Sequence, residues 1–191
     1  MYQHFWKRVV DFLAALISLI ILIIPMAIVA VMIKLDSKGP VFFKQERYGL
    51  NSKPFMMYKF RSMEANAPIK ANHDFDDIQS HITKFGMFIR KTSIDELPQL
   101  WNVLKGDMSI IGPRALASTD QLVLDLRKQN GADHVRPGIT GWAQVNGRNM
   151  VSDEEKAYYD QSYARQICLK FDIKIYILTI VSVLKREGIF K

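Results

Sequence analysis

The sequence predicts a mostly helical α+β fold that carries one long apolar helix at its N-terminus. The first observation is an uncharged run of 22 residues, 12–33, close to the roughly 20 helical residues that cross a bilayer core. The second is a pair of apolar segments around a turn, which predicts a β-hairpin. The third is a series of later segments with the apolar period of helices, roughly 3.6 residues.

The N-terminal run is predicted to be a membrane helix rather than a cleaved signal peptide. It is longer than the apolar core of a signal peptide, about 7–15 residues, and Lys34 follows where a small-residue cleavage site would stand. Positive charge flanks both ends of the run, so the positive-inside rule gives only a weak signal for which side of the membrane each end faces. Pro25 predicts a kink near the middle. These features alone leave open a spanning helix and a re-entrant helix that returns to the same face.

A β-hairpin is the only sheet that we expect. Residues 41–43 and 54–60 supply its strands, and residues 49–52 between them are typical of a turn. Residues 64–80 are polar and lack an apolar period, so they predict a loop. Residues 131–149 hold four glycines and a proline, and they also predict an ordered loop.

The remaining segments predict helices, and some of their ends have specific signals. Gly106 is a natural residue to follow the end of a helix, and Ser152 with Glu155 has the spacing of a capping box. The last helix mixes apolar and basic residues, which suits either a membrane interface or a buried core. The predicted helices cover residues 78–90, 97–104, 116–129, 152–163 and 169–186.

Charge and cysteine content narrow the classes of function. The net charge of +7 favours anionic partners, such as nucleic acid, lipid headgroups or phosphorylated substrates. Nucleic acid is disfavoured because the basic residues are dispersed among apolar ones and no predicted helix carries a basic stripe. The single cysteine, Cys168, excludes an intramolecular disulfide and a zinc site built on a cysteine pair. Because the histidines are scattered as well, any metal should be bound by oxygen.

The adjacent carboxylates Asp95 and Glu96 form the richest candidate site. Ser93 and Glu96 have capping-box spacing, which is the purely structural alternative. Pro98, however, would clash inside a helix that began at Ser93, so a helix that starts at Pro98 is favoured. The two carboxylates then precede a helix N-terminus beside Arg90, a suitable place to receive a phosphate.

Further motifs offer basic groups or metal ligands. Three further basic segments lie at residues 59–61, 112–114 and 135–148. Several of their arginines stand beside glycine or proline, which allows a close backbone approach and a fork of donors to phosphate. Asp74 and Asp76 match the acid-x-acid pattern of metal-dependent glycosyltransferases. That class remains an alternative, as does a membrane-anchored protein that binds anionic lipid without chemistry.

Taken together, six motifs in order along the chain resemble the bacterial sugar transferases. The closer resemblance is to the small monotopic phosphoglycosyl transferases, and it covers the chain almost end to end. Two positions depart from the family pattern: Ile24 stands before Pro25, where the family often has serine, and Ala115 stands where it usually has proline. The motifs are residues 7–11, 39–43, 58–63, 95–109, 111–114 and 135–141.

This resemblance implies a membrane enzyme that moves a sugar-1-phosphate from a UDP-sugar, of the N-acetylated hexosamine type, to polyprenyl phosphate and releases UMP. It implies Mg²⁺ as cofactor, Asp95 as covalent nucleophile and metal ligand, and Glu96 as its partner. With it we assign Lys59, Arg90 and Arg114 to a phosphate clamp. Candidates for the nucleotide are Arg136, Gln144 and Arg148.

The resemblance also implies a topology. Residues 1–36 would form a re-entrant membrane helix broken at Pro25, and residues 37–191 a catalytic domain with amphipathic interfacial helices around the active site. The protein would be monotopic in the bacterial inner membrane, with its active site on the cytoplasmic face and membrane lipid as a partner. The sequence predicts neither the oligomeric state nor the particular sugar.

Overall fold

The structure, a computed structural model, describes residues 2–67, 81–147 and 151–185. These residues form a mostly helical fold with two small sheets. The helices are α1 (Lys7–Asp36), α2 (Lys84–Lys91), α3 (Gln99–Lys105), α4 (Gln121–Asn130), α5 (Trp142–Asn146), α6 (Asp153–Gln166) and α7 (Leu169–Lys185). The strands are β1 (Phe42–Tyr48), β2 (Pro54–Phe60), β3 (Ser109–Ile111) and β4 (Gly138–Thr140).

Helix α1 is apolar and continuous. Within the described part of the chain it is the one helix long and apolar enough to cross a membrane. Pro25 lies inside its 30 residues, and the helix continues on both sides of it. The re-entrant break at this proline stays a prediction. A proline removes one backbone N–H, and the remaining hydrogen bonds on both sides keep the chain helical here.

Both halves of α1 pack on the rest of the chain. In its first half, Ala15 is buried in a core cluster with side chains of β2 and α3. In its second half, Val29 and Ile33 are buried with Phe60 of β2 and Ile89 of α2. Most side chains between Ala15 and Val29 are exposed. Both halves of α1 therefore lie against one folded unit, and the partly buried Leu19, Leu22 and Met26 between them pack on the same clusters.

The predicted hairpin is confirmed. Strands β1 and β2 pair antiparallel with Phe43 opposite Lys59, and a short 3₁₀ turn, Leu50–Ser52, joins them. Because side chains alternate between the faces of a strand, Phe43, Gln45 and Arg47 lie on the same face as Lys59. This face forms part of the cavity described below.

A second, parallel sheet pairs β3 with β4, so the prediction of a single sheet is wrong. Each strand has only three residues, which is too short for an alternating pattern to be seen in the sequence. The strands approach closely beside glycines: a Cβ on Gly138 would lie 2.1 Å from the nitrogen of Gly112. The glycine-rich segment 131–149, predicted to be a loop, therefore contributes β4 and α5.

Helix ends with specific signals are predicted well. Helix α3 begins directly after Pro98 and ends at Gly106, whose φ of 95° is left-handed. The capping box of Ser152 and Glu155 opens α6.

Two predicted helices begin later than the apolar pattern indicates. Helix α2 starts at Lys84, where the Thr83 side chain accepts a hydrogen bond from the nitrogen of Gly86. Helix α4 starts at Gln121, because the Asp120 carboxylate accepts a hydrogen bond from Ala117 in the preceding turn.

Helix α7 occupies the predicted range, and the buried-core alternative is wrong for it. Of its described side chains only Asp172 and Ile175 are buried. Apolar side chains such as Ile173, Ile177 and Leu184 are exposed. Together with α1, this helix gives the protein two adjacent surfaces that water solvates poorly.

Candidate active site

A cavity of about 930 Å³ lies between α1, the hairpin, residues 93–97 and α7. Ligand pockets usually measure roughly 300–1,000 Å³, so this one can hold a large ligand or parts of two. Charged side chains from the hairpin and from the segment around Asp95 form part of its wall. Residues of α1 and α7 form another part.

The backbone before the acid pair, Asp95 and Glu96, has an unusual conformation. Ser93 has a φ of 56°, in the left-handed region, and a 3₁₀ turn, Ile94–Glu96, follows it. A non-glycine residue in this region is uncommon, and such strain concentrates at functional sites. Ser93 makes no capping hydrogen bond, so the capping-box alternative is wrong. Pro98 then starts α3, which leaves both carboxylates on the turn at the cavity.

The Asp95 carboxyl is poorly solvated and poorly bonded. Burial raises its pKa to about 6, and the neighbouring Glu96 acts in the same direction, while Lys59 and Arg90 oppose the shift. No side chain in the described ranges donates a hydrogen bond to it. The carboxylate oxygens of Asp95 are therefore available to a ligand.

Lys59 and Glu96 form an ion pair beside Asp95. The Lys59 ammonium donates to a Glu96 carboxylate oxygen at 2.6 Å, and both side chains are largely shielded from water. The pair holds the 3₁₀ turn against β2. It also leaves Lys59 positioned to offset negative charge at Asp95.

Both arginines of the predicted phosphate clamp line the cavity without a hydrogen-bond partner among the described residues. Arg90 lies in the last turn of α2, and Arg114 follows Pro113. Neither guanidinium donates a hydrogen bond to any residue that the structure describes, and Arg114 is exposed. Both are free to bind an anion.

Sequence reasoning missed Arg47 and Gln45 of β1. The Arg47 guanidinium donates two hydrogen bonds to the Gln45 side-chain oxygen, at 2.7 and 3.1 Å, and lies 3.8 Å from Asp120. Burial and the charge of Arg114 lower the pKa of Arg47 to about 10. The alternation of β1, which places both residues on the Lys59 face, is the signal that could have identified them.

Of the residues predicted to bind the nucleotide, the structure places Gln144 in the cavity lining and Arg136 outside it. Gln144 of α5 lines the cavity, and both polar atoms of its side chain are buried without a hydrogen-bond partner. Such atoms in a native protein usually find a partner, so they mark a place for a ligand. Arg136 does not line the cavity: it donates to the Gly106 carbonyl at 3.0 Å, at the end of α3. Arg148 lies outside the described residues, as do Asp74 and Asp76.

The residues present fit Mg²⁺ held largely by substrate. Within the described ranges no three acidic, histidine or cysteine side chains cluster as a preformed metal site. Mg²⁺ commonly uses one or two carboxylates together with substrate phosphates and water. Asp95 offers a partly desolvated carboxylate, to which no described side chain donates a hydrogen bond, as such a Mg²⁺ ligand.

A second group of charged and hydroxyl side chains, here called the aspartate latch, joins α1 to α6 and α7. The Asp172 carboxylate accepts hydrogen bonds from Tyr2 and Tyr163, both at 2.7 Å, and from Lys7 at 2.8 Å. Asp11 accepts from the Ser109 hydroxyl and the Ile110 nitrogen. The latch consists of Tyr2, Lys7, Asp11, Ser109, Tyr163 and Asp172.

The site combines a strained acid pair with arginines that lack partners, in a cavity walled partly by an apolar helix. These features suggest membrane association and suit the binding of a phosphorylated ligand. The chain belongs to the bacterial sugar transferase family, whose model matches residues 2–186.

Several relatives support this assignment. A sugar transferase of uncharacterised function from Bacillus subtilis, EpsL, is 46% identical over 183 residues, which cover 96% of this chain and 89% of EpsL. The UDP-glucose:undecaprenyl-phosphate glucose-1-phosphate transferase of Escherichia coli is 40% identical over 91% of this chain but 39% of its own length. An Aeromonas hydrophila enzyme named for UDP-N-acetylgalactosamine and undecaprenyl phosphate is 42% identical over 96% of this chain and 45% of its own length. The chain therefore spans less than half of the last two relatives.

Proposed function

We propose that the protein transfers a sugar-1-phosphate from a UDP-sugar to polyprenyl phosphate and releases UMP. The observation that carries the proposal is the desolvated Asp95 carboxylate, to which no described side chain donates a hydrogen bond, in one cavity with Lys59, Arg90 and Arg114. The Escherichia coli and Aeromonas hydrophila relatives are each named for a UDP-sugar and undecaprenyl phosphate. These names support the choice of the two proposed substrates.

The proposed chemistry has two displacements at phosphorus. In the first, an Asp95 carboxylate oxygen attacks the phosphorus that carries the sugar, and the bond from that phosphorus to UMP breaks. UMP leaves with the electron pair, and an acyl-phosphate to the sugar remains on Asp95. In the second, a phosphate oxygen of polyprenyl phosphate attacks the same phosphorus. The Asp95 carboxylate leaves, and the lipid diphosphate-sugar is the product.

The side chains of the cavity have separate tasks in this scheme. The guanidinium groups of Arg90 and Arg114 bind phosphate oxygens and offset their charge, because a fork of donors matches their geometry. The Lys59–Glu96 pair holds the turn that presents Asp95. Asp95 would hold Mg²⁺ together with the diphosphate, and the ion would neutralise charge that develops on the leaving phosphate.

For the sugar, we infer an N-acetylated hexosamine as the class to test first. The Aeromonas hydrophila relative is named for N-acetylgalactosamine, whereas the Escherichia coli relative is named for glucose. UDP-glucose and UDP-galactose are therefore the matched comparison substrates. A preference would appear as a higher kcat/KM for the acetylated sugar.

We infer that α1 is re-entrant, which would make the protein monotopic in the bacterial inner membrane with its catalytic domain on the cytoplasmic face. The support is that one folded unit buries both Ala15 and Ile33, near opposite ends of the helix. A helix of 30 residues that spanned a bilayer would place one end away from that unit.

Cysteine labelling tests this topology. Single cysteines replace Gln3 and Ser37 in a Cys168→Ser background, and intact cells are treated with a membrane-impermeant thiol reagent. We expect neither site to react until the cells are opened. Reaction from outside at one site alone would identify a spanning helix and refute the re-entrant topology.

The function is tested by incubating the purified protein with UDP-sugar and Mg²⁺ in the absence of lipid. We expect one equivalent of UMP per protein and an intact mass raised by one sugar-phosphate. Addition of polyprenyl phosphate should remove the adduct and allow turnover. Release of UDP would instead identify a glycosyltransferase, and the absence of any nucleotide product with all sugars tested would favour a binding protein.

A further inference from the structure

Two helices face each other across the cavity with regular stripes of side chains. Helix α1 contributes Val10, Ala14, Ser18 and Leu22 to the lining, at intervals of four residues. These intervals place the four side chains on one face of the helix. Helix α7 contributes its own stripe at intervals of three or four residues, namely Leu169, Ile173, Tyr176, Thr179 and Val183, and Asp172 lies beside this stripe.

The stripes form the two sides of a groove, here called the α1–α7 groove. The helices are tied together near their N-terminal ends, where the Lys7 ammonium lies 2.8 Å from the Asp172 carboxylate. From there the stripes extend about 18 Å along α1 and about 21 Å along α7, at roughly 1.5 Å per residue. Small side chains on α1, Ala14 and Ser18, leave room between them.

The chemistry of the α1–α7 groove is apolar beyond the aspartate latch. The Thr179 hydroxyl donates to the Ile175 carbonyl and accepts from the Thr140 hydroxyl, both at 2.8 Å, so its polar atom is already bonded. The only charged side chains of α1 and α7 in the described part of the cavity lining are Lys7, Asp11 and Asp172, which all belong to the aspartate latch. A UDP-sugar, which is polar along its whole length, matches this wall poorly.

The outer faces of the same helices are apolar and exposed. Ile17 and Ile21 of α1, and Ile177 and Ile180 of α7, each expose more than two fifths of their surface. Surfaces of this kind are stable in lipid rather than in water. A ligand can therefore enter the groove from an apolar phase without crossing water.

We propose that the α1–α7 groove binds the isoprenoid chain of the acceptor lipid, with the lipid phosphate directed toward Asp95. The inference rests on the proposed function, because that function requires an acceptor with one charged end and a long apolar chain. A single cavity is lined both by Asp95 and by the two stripes, so one molecule can present its phosphate to the carboxylate and keep its chain on apolar side chains.

Steady-state kinetics with a matched control test the groove. Ser18→Phe fills it from α1, and Ile17→Phe adds the same ring to the lipid-facing side of that helix. We expect Ser18→Phe to raise KM for a long-chain polyprenyl phosphate about tenfold, comparable to the loss of roughly two buried methylene contacts. KM for UDP-sugar should stay within about twofold, and Ile17→Phe should change neither value.

A second variant, on the opposite wall of the groove, tests the same prediction in case Ser18→Phe does not fold. Val183→Phe on α7 should reproduce the rise in acceptor KM, with Val181→Phe as its control. Equal acceptor KM values for groove and control variants would overturn the proposal. A parallel rise in KM for UDP-sugar would also overturn it, because the groove would then hold the nucleotide-sugar.

A binding measurement that does not depend on turnover separates this inference from the proposed function. Single cysteines at position 18 or 17, in the Cys168→Ser background, carry a benzophenone in phospholipid vesicles that contain polyprenyl phosphate. We expect crosslinking to the polyprenyl phosphate at position 18 in excess of position 17. Crosslinks at position 18 only to bulk phospholipid would overturn the groove even if UMP is released. Crosslinks to polyprenyl phosphate without UMP release would refute the proposed function and retain the groove.

Discussion

The acid pair and the aspartate latch both combine lysine with carboxylates, but they differ in how fully the carboxylates are bonded. Asp172 accepts three hydrogen bonds from side chains, each of 2.7–2.8 Å. Asp95 accepts none from any side chain in the described part of the chain. Its turn follows the left-handed residue Ser93, whereas Asp172 lies in the first turn of the regular helix α7.

This difference separates a structural role from a chemical one. A buried carboxylate that already accepts three hydrogen bonds fixes neighbouring elements and has little capacity left for a ligand. A buried carboxylate with empty acceptor positions costs folding free energy, and such a cost persists where it serves function. The aspartate latch thus positions α1 against α7, and the acid pair carries the reactive group.

The largest expected effect is the loss of turnover in Asp95→Asn. The amide keeps the size of the side chain but lacks the nucleophilic charge, so we expect kcat to fall by about 10³-fold or more. Binding of UDP-sugar should remain, because Arg90 and Arg114 are unchanged. Turnover is measured by UMP release and binding by calorimetry. Asp125→Asn, on the exposed face of α4, is the matched control, and a variant at Asp95 with near-normal kcat would contradict the nucleophile.

Removing the carboxylate of the aspartate latch should lower the stability of the fold, whereas Asp95→Asn lowers turnover. Asp172→Ala removes the acceptor of the Tyr2 hydroxyl and the nearest carboxylate to the Lys7 ammonium, while the Tyr163 hydroxyl keeps the Ile111 carbonyl as acceptor. Because a buried lysine loses its partner, we expect the free energy of unfolding to fall by about 3–5 kcal/mol. The measurement is denaturant unfolding in a fixed detergent. Asp153→Ala, at an exposed ion pair of α6, is the control and should cost about 1 kcal/mol or less. Equal losses of unfolding free energy in Asp172→Ala and Asp153→Ala would contradict a structural role for the aspartate latch.

The same contrast explains which features the sequence could predict. The hairpin, the start of α3 at Pro98 and the capping box at Ser152 depend on residues close together in the chain. The acid pair was found because a proline three residues after Asp95 excludes a regular helix there. The family motifs added its proposed role, which no local pattern contains.

Features that depend on distant residues were missed. Tyr2 and Lys7 meet Asp172 across separations of 170 and 165 residues, and no local pattern records such a contact. Arg136 is a candidate for the nucleotide in the sequence analysis, and the structure places it outside the cavity lining. Its actual partner, the Gly106 carbonyl, is 30 residues away. Local chemistry therefore identified candidate groups, and only the fold distinguished bonded from unbonded ones.

A smaller effect links the acid pair to stability through pH. The folded-state pKa of Asp95, about 6, exceeds its ordinary value of 3.8. The protonated form is therefore favoured by folding, and stability is lost as pH rises between these two values. Above pH 6 the ionised group should cost about 1–3 kcal/mol, at most the roughly 1.4 kcal/mol per pKa unit expected without solvent screening.

Asp95→Asn removes this cost, so the variant should be more stable than the wild type at pH 8. The two should converge at about pH 3, below both pKa values, where the carboxyl is largely protonated in both states. Chemical denaturation with EDTA present, to exclude bound cations, measures the difference. A constant difference across this range would show that ionisation of Asp95 is not its cause.

The smallest predicted effects compare two arginines that share the cavity. Arg114 has no hydrogen-bond partner for its guanidinium among the described residues, whereas Arg47 is bonded to Gln45. If unbonded groups serve the substrate, Arg114→Gln should raise KM for UDP-sugar about tenfold and leave stability nearly unchanged, since a hydrogen bond to a charged group contributes about 1.5 kcal/mol or more. Arg47→Gln should instead lower the free energy of unfolding by about 1 kcal/mol and change KM less. Initial rates and denaturant unfolding on both variants decide the matter. The reverse result, with KM affected mainly at Arg47, would mean that the bonded arginine exchanges Gln45 for the diphosphate when substrate enters.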